Sequence, residues 1–269
     1  MSKPVYYSDV KILRKPLKER IKNIFKFFLF FLIVACCFLS ATYLSSALTV
    51  GNLGAFIVYG DTKITINEKK YYAVILGEYD NKDEAERIAI ASTIQGASGY
   101  VWQDAKYWVV GNIYLDNTDA EKVVENLSGS NYNVGVREIK IPKATLNFDM
   151  YENADMDAIH KSINIFDEIY ALLYSASVKF DKKEINNLAI SSEISSMRGE
   201  VKSLIVATQN LINKSSSHLM EIQTALIKLD ELLDQTIIRT IDNSATSYSL
   251  KNSIASVVRI KWDLFAEIA

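Results

Sequence analysis

Residues 70–141 read KYYAVILGEYDNKDEAERIAIASTIQGASGYVWQDAKYWVVGNIYLDNTDAEKVVENLSGSNYNVGVREIKI, and the fold turns on how they divide. Tyr71–Tyr79 is rich in β-branched and aromatic residues and ends in a turn at Asp80-Asn81, which predicts a strand. Asn81 followed by Glu84 resembles a capping box and opens a helix that buries Ala85, Ile88 and Ala89. Gly96-Ala97-Ser98-Gly99 stops that helix. Tyr100–Gln103 and Lys106–Leu115 are predicted strands around a turn at Asp104-Ala105. Asn117 is placed to cap a second helix, in which Ala120, Val123, Val124 and Leu127 recur at helical spacing. Ser128–Asn131 breaks it, and Tyr132–Ile141 is the last strand. Strand, helix, strand, strand, helix, strand predicts an α+β domain with a four-stranded antiparallel sheet and two helices on one side.

Upstream, residues 1–26 hold eight Lys/Arg against two Asp/Glu. Residues 27–50, FFLFFLIVACCFLSATYLSSALTV, are 24 uncharged positions. As a helix they reach about 36 Å, enough to cross a bilayer core with some tilt. The basic flank comes first, so the positive-inside rule predicts a single-pass membrane protein with a cytoplasmic N-terminus and its bulk outside. A cleaved signal peptide is the alternative, with Ser45-Ser46-Ala47 as cleavage site; the long basic region and the apolar extension through Leu48 favour the anchor. Both cysteines, Cys36 and Cys37, lie inside the apolar run, so no disulfide framework or thiolate metal site is expected. Residues 51–69 read as a juxtamembrane linker with a short strand at Lys63–Ile66.

Downstream, residues 142–155 read as a second linker, opened by Pro142, the last proline in the chain. Helical periodicity then takes over. Ile159, Ile163, Phe166, Tyr170 and Leu173 form one apolar stripe; Ile190, Ile194, Met197, Val201, Leu204 and Leu211 form another. Leu219, Ile222, Leu226, Leu229 and Leu233 follow a break at Ser215–Ser217, and Leu250, Ile254 and Val257 lead to Val258, Trp262 and Phe265. With breaks at Asp181 and Asp242–Ser244, residues 156–269 are expected to form an all-α bundle of four helices; a dimerising coiled coil is the other reading.

Beyond residue 26 the chain carries 22 basic and 30 acidic residues, which argues against a polyanion partner and hence against nucleic acid. The strand order also suits an RNA-recognition sheet, but the paired aromatics in a basic frame are missing. His160 and His218 are the only histidines, far apart and without metal-ligand spacing. No Walker loop, nucleophile elbow or Rossmann glycine pattern occurs, so no enzyme activity, cofactor or metal is expected.

Two half-motifs carry a family resemblance. The first is Tyr72-Ala-Val-Ile-Leu-Gly77-Glu-Tyr79 followed by Asn81-Lys-Asp-Glu-Ala85-Glu-Arg. The second is Tyr107-Trp-Val-Val-Gly111-Asn-Ile-Tyr114 followed by Thr118-Asp-Ala120-Glu. Strand, glycine, aromatic, then an Ala-Glu helix, twice over, resembles the SPOR (sporulation-related repeat) domain, a peptidoglycan-binding family of ferredoxin-like βαββαβ fold. The layout of basic tail, anchor, SPOR-like module and trailing helices is similar to the stage II sporulation protein B family of endospore formers. The resemblance implies recognition of peptidoglycan glycan strands at division or sporulation septa, with envelope or divisome proteins engaged through the C-terminal helices.

In the SPOR family the glycan lies on the sheet face opposite the two helices. The resemblance therefore implies a groove lined by Ile75, Tyr107 and Val109, able to stack on sugar rings, with Glu78 at its rim and Trp102 as a further stacker. The family usually carries Gln where Ile75 stands and Ser where Glu78 stands; Tyr107 fits its pattern. Losing the Gln removes a two-way hydrogen-bonding group. That departure points to a second reading, a membrane-tethered protein–protein adaptor that keeps the fold without glycan affinity.

Overall fold

A computed structural model describes residues 58–60, 63–129, 132–148, 153–212, 217–241 and 246–268. Among the described residues seven strands and six helices follow one another: β1 Val58–Gly60, β2 Lys63–Ile66, β3 Lys69–Tyr79, α1 Lys82–Thr93, β4 Tyr100–Gln103, β5 Tyr107–Tyr114, α2 Asn117–Leu127, β6 Gly135–Ile141, β7 Ala144–Asn147, α3 Asn153–Asp181, α4 Asn187–Leu211, α5 Ser217–Ile241 and α6 Thr246–Ile268. The expected tail 1–26 and membrane span 27–50 lie outside the described residues. Among those described, no helix is long and apolar enough to cross a membrane.

Residues 69–141 form the expected four-stranded antiparallel sheet, in the order β4-β5-β3-β6. The Asn81 side chain caps α1, accepting from the backbone N–H of Asp83 at 2.8 Å and of Glu84 at 3.4 Å. The second cap falls one residue earlier than expected. Asp116, in extended backbone, accepts from Thr118 N–H at 2.7 Å, while Asn117 is already helical and donates to Glu121.

Both expected linkers contribute strands. β2 pairs with β7 in a second antiparallel sheet, with Lys63 opposite Asn147 and Ile66 opposite Ala144; β1 adds its other edge. The cause is a period of two. Ile64 and Ile66 on β2, and Ala144 and Leu146 on β7, alternate with polar residues and are buried.

Helices α3 to α6 form a four-helix bundle in which each packs on the next and α6 returns beside α3. Arg198 of α4 bridges Asp230 and Asp234 of α5, which ties two helices together. Sheet and bundle belong to one compact unit, Ala55–Ala269. One buried cluster runs from Tyr71, Ala73, Ile75, Trp102, Val110 and Ile113 into Phe166, Ile169, Leu250, Ile254, Val258 and Phe265. A smaller core of Leu76, Ala85, Ala89 and Val109 lies under the sheet's own helices.

Candidate functional site

The sheet face opposite α1 and α2 is covered by the bundle. Ile75 is 4% exposed and Trp102 3%, both inside the core shared with α3 and α6. Trp102 meets Trp262 of α6 edge-on, with ring centroids 6.1 Å apart. The Arg259 guanidinium sits over both rings, at 5.1 and 4.9 Å, and donates to the Gln103 carbonyl at 2.8 Å. The residue expected to stack on sugar stacks on this chain's own helix instead.

The expected groove also separates. Val109 is fully buried on the opposite face with Leu76 and Ala85, and Tyr107 packs against that same side. Strict alternation would align Ile75 with Val109 and Tyr107. Two bulges break it: Asn112 pairs with Val74 but Val110 with Ile75, and Val109 then pairs with Gly77. β5 takes an extra residue at Gly111 and β3 one at Leu76, beside Gly77, and each insertion switches the face of the residues beyond it. A Cβ at Gly111 would lie 3.4 Å from the Val74 carbonyl oxygen. Glycine inside each strand was the sequence signal for this irregularity. Glu78, expected at a glycan rim, pairs with Arg137 of β6.

Where sheet and bundle meet lies a buried ionic cluster that the sequence reading missed. Asp167 of α3 accepts at Oδ1 from Lys261 Nζ at 2.6 Å and from Tyr71 Oη at 3.0 Å, and Lys69 Nζ approaches it at 2.9 Å. Burial alone would raise the Asp167 carboxyl, but the charges of Lys261 and Lys69 outweigh it and leave it below the usual carboxylate range. Burial pushes Lys261 below the ordinary lysine value, against the pull of Asp167. Burial, with the Asp167 charge, holds the Tyr71 phenol well above its ordinary value, so it stays a donor. The sequence did hold a signal. Asp167 falls four residues after Ile163 and three before Tyr170, and Lys261 three after Val258 and four before Phe265. Each therefore sits on its helix's apolar stripe, where a lone charge needs a partner.

Further bonds seal the contact. Tyr170 Oη donates to the Ile113 carbonyl at 3.0 Å, Lys251 Nζ to the Gly96 carbonyl at 2.9 Å, and Asn252 Nδ2 to the Ser98 carbonyl at 2.9 Å. Tyr71 and Tyr170 meet at 5.3 Å, and Tyr170 stacks on Tyr174 at 6.0 Å. His160 is buried in α3, and His218 of α5 lies 3.6 Å from Glu221. Among the described residues no group of three or more His, Cys, Asp or Glu side chains could hold a metal ion.

Two open concavities lie on the bundle. One, of about 530 Å³, runs between α3 and α4 over Ala158, Ile165, Leu204 and Ala207. Another, of about 380 Å³, lies between α5 and α6 beside Met220, Ile260 and Leu264. Comparisons with protein-family models, with curated proteins and with solved structures return no match to this chain. The guide to function is therefore the chain's own surface. Its two larger grooves belong to helices; smaller concavities on the sheet, of about 190 Å³ beside Ile75, Glu78 and Arg137 and about 140 Å³ over Val74, Leu76 and Gly111, leave less room.

Proposed function

We propose that the chain is a membrane-tethered envelope adaptor, in which a SPOR-like, ferredoxin-like βαββαβ sheet serves as a platform and the helical bundle engages partner proteins. The carrying observation is the burial of Ile75 and Trp102 beneath α3 and α6. A sheet that reads glycan needs that face free, and here it is core. Apolar packing, the Asp167 cluster and the Arg259 clamp all hold the two layers together. This contact belongs to folding rather than to reversible docking. The strand order β4-β5-β3-β6 supports the SPOR-like connectivity. The apolar run 27–50 after a basic segment supports the tether, with the N-terminus cytoplasmic and the bulk extracytoplasmic. By its resemblance the protein acts at division or sporulation septa.

The test is co-sedimentation of the full-length chain with purified glycan strands lacking stem peptides. The adaptor reading expects the chain to stay in the supernatant. Saturable retention on the glycan would overturn it and restore the sheet, or another surface, as a glycan reader.

A further inference from the structure

The groove between α3 and α4 carries an excess of acidic over basic side chains. Its floor is apolar and shallow, with two alanines, Ala158 and Ala207, flanking Ile165 and Leu204. Asp157 and Glu168 line it from α3 and Glu200 from α4, against a single cation, Lys161. None of these three carboxylates has an ion-pair partner within 4 Å among the described residues. Burial and then the like charge of Glu200 raise the Glu168 carboxyl above its ordinary value. An acidic rim over an apolar floor between two packed helices matches one kind of occupant, a third helix with a large apolar knob and flanking cations.

We propose that this groove docks a basic amphipathic helix of a partner protein. The inference rests on the adaptor reading and names the partner's chemistry. Asp157 to Glu168 spans about 16 Å of α3, so the contact takes about three turns of the incoming helix. Its apolar residues enter at i, i+3 or i+4 and i+7 over the alanines, and Lys or Arg beside them meets Glu168 and Glu200. A second copy of this chain fits poorly, because beyond residue 26 the chain carries 30 acidic against 22 basic residues and would set acid on acid. The chain's own basic segment, 1–26, lies across the membrane in the proposed topology.

The test uses the full-length chain in neutral-lipid nanodiscs and a synthetic 18-residue Leu/Lys amphipathic peptide with a photo-reactive leucine at its centre. A Leu/Glu peptide of the same pattern is the control. Crosslinks located by mass spectrometry separate binding to the protein from binding to lipid. The expected result is crosslinking of the Lys peptide, but not the Glu peptide, to residues 158–168 and 200–207. The yield should fall about tenfold in Glu168→Lys/Glu200→Lys and in Ala158→Trp, and with added salt. The exposed pair Glu168→Gln/Glu200→Gln carries the test if the tryptophan variant unfolds. An equal fall in Glu84→Lys/Glu86→Lys on α1 would mean unspecific polycation capture and overturn the proposal. Crosslinking that appears only when residues 1–26 are removed would overturn it by assigning the groove to the chain's own tail. A dimer dissolved by Glu168→Lys would overturn it in favour of a second copy. Glycan retention bears on the adaptor reading alone, so the two can fail separately.

Discussion

Asp167 of α3 and Lys261 of α6 meet at 2.6 Å inside the protein, each on the apolar stripe of its helix. They lie beneath a sheet that contributes Tyr71 and Lys69 to the same oxygen. One carboxylate thus joins three elements that are distant in sequence. Asp167→Ala should destabilise the protein by about 3–5 kcal/mol, because two lysines are left buried without their counter-charge. Replacing Asp167, Lys261, Lys69 and Tyr71 together with Leu, Met, Met and Phe should recover most of that loss. Urea unfolding of the two variants measures the difference; equal losses would show that the cluster acts through packing alone.

The same cluster sets an acid limb. Burial opposes ionisation of Asp167, but Lys261 and Lys69 outweigh it, so its folded value lies below the unfolded one. The unfolded chain then binds more protons between those two values. The contribution is complete above about pH 4 and is lost as pH falls through the folded value. Asp167→Asn should start less stable at neutral pH and show a shallower decline below about pH 4. Urea midpoints measured across the acid range check this; parallel curves for the two proteins would refute it.

Ile75→Gln restores the residue that the SPOR pattern carries. Here the carboxamide would be buried beneath the bundle, costing roughly 1–3 kcal/mol if it finds no partner, on top of lost apolar packing. No glycan retention should appear. Thermal melting and co-sedimentation of this one variant report both points, and a stable, glycan-retaining protein would reverse the account of this face.

Trp102→Ala should cost about 3–5 kcal/mol, since it removes a ring buried against Trp262 and Arg259. Tyr107→Ala, on a partly buried ring across the sheet, should cost clearly less. A sugar-stacking surface would behave in the opposite way: both substitutions would be tolerated, and both would lower binding. Equilibrium unfolding ranks the pair.

Gly99 has φ +63°, and a Cβ there would collide with Thr93 Cγ2. Gly99→Ala should destabilise by roughly 1–2 kcal/mol from the left-handed backbone alone, and more from the contact. The neighbouring Ser98 carbonyl accepts from Asn252, so faster hydrogen exchange at the start of β4 and in α6 should accompany the loss.

Local pattern was enough for much of this molecule. The alternating apolar residues of Tyr71–Tyr79, the Asn81 cap and the stripes from Ile159 to Phe265 settle which segments are strand or helix, because those choices depend on neighbours one to four positions away. They also reveal an α+β unit with a four-stranded antiparallel sheet followed by four long helices. What covers the sheet is a different kind of fact. Whether Ile75 faces wall or core depends on Phe166 and Val258, far along the chain, and on two bulges that realign β5 against β3. Only the tertiary structure joins Asp167 to Lys261 and Tyr71, and only it buries Ile75 and Trp102 under the bundle and leaves the larger grooves between helices open. Burial is shared among distant segments, and no stretch of chain encodes it alone.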